Sequence, residues 1–251
     1  MTVRISGGVN FNPKINTTGL VFAFDAASRY SYSGSGTTIE GLSEDVQGKL
    51  VNGASFSSSN YGFFSIDGTD DYISTNKIKL NRTSATLCLM MKMTGSSTSP
   101  QVIAEFSSNY NLVTDGFLIT YQDQPFGYSE KSIVILRKGN VGINARGFAV
   151  THLSDQKWKY CSFIFDESLT VGRRNQLWIN GEYQTPSEPQ GSFYNKNNTN
   201  DFGEHSLFIG GRDGAVAVTQ ANIACCHMYN RVLTQKELKT NYLALKTRFG
   251  L

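Results

Sequence analysis

Charged side chains are scarce in this 251-residue chain: Asp, Glu, Lys and Arg make up 17%, against about 25% in an average soluble domain. The formal net charge is only +3, too weak a field to favour nucleic acid or an anionic membrane as partner. The basic pairs Arg137-Lys138 and Arg173-Arg174 are expected in solvated turns, because isolated pairs do not form a track along a phosphate backbone. Histidine is limited to His152, His205 and His227, and cysteine to Cys88, Cys161, Cys225 and Cys226. The cysteine spacing fits no zinc pattern. Each lies in an apolar run, where a thiol behaves as a small hydrophobe. No apolar stretch approaches the ~18 residues of a membrane-crossing helix. Residues 1–19 lack the hydrophobic segment of a secretory leader. Folding in a reducing cytoplasm is therefore the expectation.

What fills the chain instead is glycine and small polar residues between short apolar runs. Hydrophobic residues make up 39% and aromatics 12%, enough for a large core without metal or disulfide staples. The runs alternate with period two, the signature of half-buried strands. Leu20, Phe22 and Phe24 form one such face; Leu87, Leu89, Met91 and Met93 another; Phe117, Ile119 and Tyr121 a third; Cys161, Phe163 and Phe165 a fourth. Leu207-Phe208-Ile209 is a short fifth. Leu177-Trp-Ile, Asn180-Gly181 and Glu182-Tyr183 spell a two-residue hairpin, since Asn and Gly tolerate the positive φ that its turn requires. Phe64-Ser-Ile66 and Tyr72-Ile73 flank the loop 67–71 and suggest a second, longer hairpin. One helix is expected near the end. Thr234 and Glu237 make a capping box, Leu233 and Leu238 a hydrophobic staple, and Leu238, Tyr242 and Leu245 share a face. The fold class is thus all-β, a two-sheet antiparallel sandwich closed by one short C-terminal helix. Residues 1–18 read as an extended N-terminal arm, either frayed or docked on a neighbour, and 19–251 as one domain.

Five segments in this order carry a resemblance. They are Gly19-Leu-Val-Phe-Ala-Phe-Asp-Ala26, Phe64-Ser-Ile-Asp-Gly-Thr-Asp-Asp-Tyr-Ile73, Leu177-Trp-Ile-Asn-Gly181, Leu207-Phe-Ile-Gly-Gly211 and Met228-Tyr-Asn-Arg-Val-Leu-Thr-Gln-Lys-Glu-Leu238. Together they resemble the laminin G-like, concanavalin A-like jelly-roll domains, above all those carried by tailed-bacteriophage virion proteins. The closing Leu245-Lys-Thr-Arg-Phe-Gly-Leu251 is similar to the end of those phage proteins. Members often carry acidic residues in the last strand, where this chain has Asn222-Ile-Ala-Cys-Cys226, so no metal or ligand role transfers there. The resemblance implies a virion-surface protein made in the host cytoplasm, with other virion proteins as partners through residues 1–18.

Because the superfamily includes glycoside hydrolases, paired carboxylates were sought. Two acids sharing a strand face require alternate positions. Glu105, Asp123, Glu130 and Asp166-Glu167 are separated, and Asp70 and Asp71 are adjacent. No Gly-x-Ser-x-Gly elbow is present. His227 is expected at the edge of the core, on one face with Ile223, Cys225 and Tyr229, and Cys225 and Cys226 are expected to pack on opposite faces. No catalytic residue and no resident metal are therefore expected. Calcium at Asp67, Asp70 and Asp71 remains the alternative to a plain turn. The ligand-binding candidates are tyrosines in polar loops, Tyr110, Tyr128 and Tyr194. Tyrosine among asparagines suits sugar stacking, a subunit interface or plain solvent. The function expected is a non-enzymatic virion structural protein, with a carbohydrate-binding adhesin as the alternative and a glycan-cleaving enzyme behind it. Host surface glycan and further copies of the chain are the other candidate partners.

Overall fold

The computed structural model describes residues 14–43, 45–95, 100–107, 109, 111–112, 114–121, 132–150, 153–170, 172–187, 196–214 and 217–251. Its first strands are β1 Leu20–Asp25, β2 Thr38–Glu40, β3 Gln47–Val51, β4 Ser55–Ser57, β5 Phe63–Asp67, β6 Tyr72–Thr75, β7 Ile78–Lys79, β8 Ser84–Met93 and β9 Gln101–Phe106. There follow β10 Gly116–Tyr121, β11 Ser132–Lys138, β12 Ile143–Ala149, β13 Lys159–Asp166, β14 Asn175–Ile179, β15 Glu182–Tyr183, β16 Glu204–His205, β17 Leu207–Ile209 and β18 Gln220–Tyr229. The chain closes with helix α1, Gln235–Leu245, and a short 3-10 turn, Lys246–Phe249.

Two antiparallel sheets face each other. The first runs β15-β14-β13-β8-β18-β5-β4, with β1 also on β18; the second runs β12-β11-β10-β9-β17-β6-β3-β2. Between them lies the main core, where Phe24, Phe64, Leu89 and Phe163 from the first sheet meet Ile73, Phe106, Phe117 and Ile135 from the second. Phe117 and Phe165 stack across the gap with centroids 4.5 Å apart. Fully burying each such side chain contributes about 1.5–3 kcal/mol. Four of the alternating faces read from the sequence point into this layer as expected, except where a bulge intervenes.

A second apolar cluster covers the outer face of the first sheet. Here Leu233, Leu238, Ala244, Leu245 and Phe249 pack on Cys88, Met90, Tyr160, Ala224 and Cys225. Helix α1 begins where the capping box places it. Glu237 N–H donates to the Thr234 hydroxyl, and Thr234 N–H donates to the Glu237 carboxylate. The Asn180-Gly181 turn also forms, with both residues at positive φ (55° and 78°) and Ile179 opposite Glu182.

Three local expectations are corrected. Residues 64–73 do not make a hairpin: β5 pairs with β18 and β4 in the first sheet, while β6 pairs with β17 and β3 in the second. Loop 67–71 is a corner between sheets, because Phe64, Ile66 and Ile73 must enter one core from opposite sides. The face assigned to His227 breaks at Ala224, where the register shifts between Ile223 and Cys225. Ile223 faces the main core and Cys225 the helix side. At this bulge the neighbour of β18 changes from β5 (residues 220–223) to β1 (residues 225–229). A similar shift between Leu20 and Phe22 sends Leu20 to the helix side. Finally, the basic pairs are solvated only in part: Arg173 is exposed and Lys138 half-buried, but one arginine of each pair is buried. Arg137 is fully buried in β11, and Arg174 is 7% exposed.

Of the segment expected as an arm, residues 14–18 lie against α1. Ile15 is buried, Asn16 N–H donates to Asn241 Oδ1 (2.8 Å), and the Tyr229 hydroxyl donates to Asn16 O (2.9 Å). Arg231 joins Thr18 O to the Glu237 carboxylate.

Candidate functional site

Tyr110, Tyr128 and Tyr194 lie outside the described residues. The polar segments beside two of them do come together. At one end of the sandwich, residues 109, 111–112, 114–115, 138–142 and 196–203 form an amide-rich rim. Asn140 and Thr199 exchange two hydrogen bonds of 3.1 Å, Asn140 N–H donates to Asn200 Oδ1 (2.9 Å), and Asn200 Nδ2 donates to Thr114 O (2.8 Å). Lys138 Nζ donates to Asn111 O at 2.7 Å. Asn198 closes the turn between β11 and β12. Its Oδ1 accepts from Val141 and Gly142 N–H, and its Nδ2 donates to Gly142 O. Gly139 has to be glycine there, since a Cβ would sit 2.3 Å from Asn198 Cγ. The rim also exposes two apolar side chains, Leu112 (78%) and Val141 (55%).

Beneath the rim is a buried charge cluster that the sequence did not disclose. Arg174 Nη1 donates to Glu167 Oε2 at 2.6 Å, and its Nε and Nη1 also reach Leu169 O and Lys196 O. Asn144 Nδ2 donates to the other Glu167 oxygen at 3.4 Å. Asn175 Nδ2 bonds Ile135 O and Asn144 O, tying the first sheet to the second. Arg137 stacks on Phe202, 4.0 Å from guanidinium carbon to ring centroid, and donates to Asn200 O at 3.0 Å. Burial pushes the Glu167 carboxyl above its usual range, and Arg174 and Arg137 pull it back. A cavity of about 10 Å³ lies among Asn144, Arg146, Arg174 and Asn175, room for roughly one water. This cluster is a support that fixes the loops carrying the rim. A phase signal could have found Arg137, which follows Ile133 and Ile135 on their inward face. That signal was hidden because the residues between them, Val134 and Leu136, are apolar too.

The acids considered for catalysis are placed apart and structurally engaged. Glu105 is paired with Arg212 at 2.5 Å, Glu167 with Arg174, and Asp166 Oδ1 accepts from Ser168; of the other acids, Asp25 is paired with Arg248 and Glu237 with Arg231. Asp123 and Glu130 lie outside the described residues. At the inter-sheet corner, one oxygen each from Asp67, Asp70 and Asp71 lies within 4.8 Å of the others. Asp71 is buried and already accepts from the N–H groups of Asp67 and Gly53, while Thr69 N–H donates to Asp67 Oδ1. Burial raises the Asp71 pKa, with Asp67 and Asp70 adding to the effect. Calcium takes 6–8 oxygens, and this group serves first as the corner's hydrogen-bond frame.

His227 is buried on the helix side of β18, 3.5 Å from the Tyr160 hydroxyl, and burial lowers its pKa to about 4. His152 lies outside the described residues, and His205 bonds Asp115 Oδ1 at 2.8 Å. All four thiols are free and buried. Burial pushes Cys88 up to about 11 and Cys161 to about 12, so neither is a thiolate at neutral pH. Cys226 faces the core and Cys225 the helix, as expected. Among the described residues no helix is long and apolar enough to cross a membrane.

Layered antiparallel sheets carrying a loop rim at one end define a lectin-like jelly roll. A sequence profile of the concanavalin A-like lectin/glucanases superfamily, of the laminin G type, matches residues 67–239, and the chain belongs to that superfamily. Similar structures include the botulinum neurotoxin serotype D binding domain, with TM-score 0.63 and 10% identity over 90% of this chain and 52% of that one. The botulinum neurotoxin type G receptor binding domain gives 0.59 and 11% over 89% and 51%. Trypanosoma rangeli sialidase gives 0.59 and 15% over 93% and 34%. The chain thus spans about half of the neurotoxin domains and a third of the sialidase, and at these identities the likeness is one of fold. No curated protein matches by sequence.

Proposed function

We propose that this chain is a non-enzymatic structural protein of a tailed-bacteriophage particle, displaying its lectin-like domain at the virion surface as capsid decoration, head fibre or tail appendage. The observation that carries the non-enzymatic part is the fate of the acids. Glu105, Glu167, Asp25 and Glu237 each neutralise an arginine within the fold and Asp115 bonds His205, so that the described part of the rim carries mainly amides and apolar side chains, with Asp201 as its exposed acid. Such a rim suits holding ligands by shape and hydrogen bonding, and among its described residues Asp115 is already engaged by His205 rather than offered with Asp201 as a cleaving acid pair. The phage context rests on the motif order across 19–251 and on the C-terminal Leu245–Leu251 segment. No cofactor belongs to this assignment; Asp67, Asp70 and Asp71 frame a corner. Synthesis in the host cytoplasm suits four reduced, buried thiols.

Attachment to other virion proteins is assigned to the residues before Lys14, because Ile15 and Asn16 are spent on the domain itself. Deleting residues 2–13 should leave a folded domain that no longer enters particles. Normal incorporation of the truncated chain, scored by mass spectrometry and cryo-electron microscopy of purified virions, would remove the anchor. Failure to find the full chain in particles would remove the virion role.

A second function, carbohydrate-binding adhesin, is compatible with the first. It is favoured by the exposed amides at Asn109, Asn111, Asn140 and Asn197, and by a fold that serves as receptor binding domain in the neurotoxins. Saturable binding to a bacterial glycan array supports it; a flat array beside ordered copies on the capsid leaves pure decoration.

A further inference from the structure

The backbone turn that carries one exposed aromatic is held in place by buried structure. Tyr61 lies at the tip of the loop joining β4 to β5 and is 73% exposed. Its backbone and that of Asn60 are left-handed, with φ of 67° and 50°. For a bulky residue such a φ is an outlier, and strain of this kind collects where a side chain must be aimed.

The turn is fixed from below. Arg248, from the 3-10 turn after α1, donates from Nε to Asn60 O (3.0 Å) and from Nη2 to Gly62 O (2.8 Å). Its Nη1 holds both oxygens of Asp25 at 2.7 and 2.8 Å. Gly62 lies so close to the Ala26–Ala27 peptide that a Cβ would meet Ala26 O at 2.8 Å. Phe63 then packs on Trp158, and Trp158 on Phe249. Asp25 also accepts from Ala27 N–H and so starts the neighbouring turn, which carries Tyr30 at 54% exposure. One buried arginine therefore sets two tyrosine-bearing turns side by side, where β1 leaves the first sheet and β5 enters it.

We propose that Tyr61 is a stacking platform for a pyranose ring, a glycan contact separate from the amide-rich rim. It rests on the lectin-like function above. An aromatic side chain projecting from a fixed backbone turn offers its face to the C–H face of a sugar, with no backbone freedom to be lost on binding. The exposed Ser58, Ser59 and Asn60 beside it supply short hydrogen-bonding groups for sugar hydroxyls.

The test uses the full chain on an array of bacterial surface polysaccharides, with melting curves run in parallel. Tyr61→Gly relieves the left-handed strain, so the melting temperature should hold or rise while affinity falls about tenfold or more. Tyr61→Phe keeps the ring and should bind within about threefold of the parent. Parent-like binding by Tyr61→Gly would overturn the platform and leave the rim as the glycan site. Binding and melting temperature falling together would also overturn it, by making the ring structural. No binding by the parent chain would reject both the platform and the adhesin function.

Discussion

Arg174 and Arg248 are the two most instructive side chains to compare. Each is nearly buried, each faces one carboxylate at 2.6–2.7 Å, and each also donates to backbone carbonyls. Their partners differ. Glu167 is 3% exposed and lies near a second guanidinium, that of Arg137, whereas Asp25 is 16% exposed. Arg174 joins loops at the rim end; Arg248 ties the chain's last turn to two others. The same pair of groups can thus act as a sealed keystone or as a clamp at a semi-wet seam. Desolvation decides which, since an uncompensated charge costs most where water cannot reach it.

That difference can be broken by truncation. Glu167→Ala strands Arg174 in the interior and should cost about 3–5 kcal/mol. Asp25→Ala should cost less, about 1–3 kcal/mol, because water can replace part of the carboxylate. Equal losses in urea unfolding would mean that burial does not separate the two clamps.

Next in size is a pH effect on the helix-covered face. Burial disfavours the His227 imidazolium and lowers its pKa in the folded chain to about 4, below the ordinary 6.5 of a histidine. The unfolded chain therefore binds the proton more readily. Stability is full above pH 6.5 and is lost as pH falls toward 4, by roughly 3 kcal/mol in all. Asp25 opposes the shift. In His227→Gln the slope between pH 6.5 and 5 should flatten; an unchanged slope would place the acid sensitivity elsewhere. Thr234→Ala removes the helix cap and should cost about 1 kcal/mol by thermal melting. Lys239→Ala breaks an exposed pair with Glu182 and should change stability by at most about 1 kcal/mol.

The helix side of the molecule was largely legible in the sequence and the rim largely was not. Thr234, Glu237, Leu233 and Leu238 are close neighbours, and their spacing encodes the helix start directly. The Asn180-Gly181 turn was legible for the same reason, since its φ values are demanded locally. Arg137, Glu167 and Arg174 act through partners remote in sequence, and nothing local marks them as buried. The loop 67–71 misled because one Asp-Gly signal serves both a hairpin and a corner between sheets. Bulges at Leu20–Phe22 and Ile223–Cys225 reset the alternation, and a period-two pattern alone does not show where a strand changes partner.

The central proposal is a non-enzymatic lectin-like domain, which in its adhesin function would hold glycans and not cut them. The direct measurement incubates the purified chain with bacterial surface polysaccharide and follows both retention on the polymer and release of reducing ends. Saturable retention with no release above the buffer control is the result expected. Reducing ends that accumulate in proportion to protein, and vanish on substitution of a single carboxylate, would contradict it.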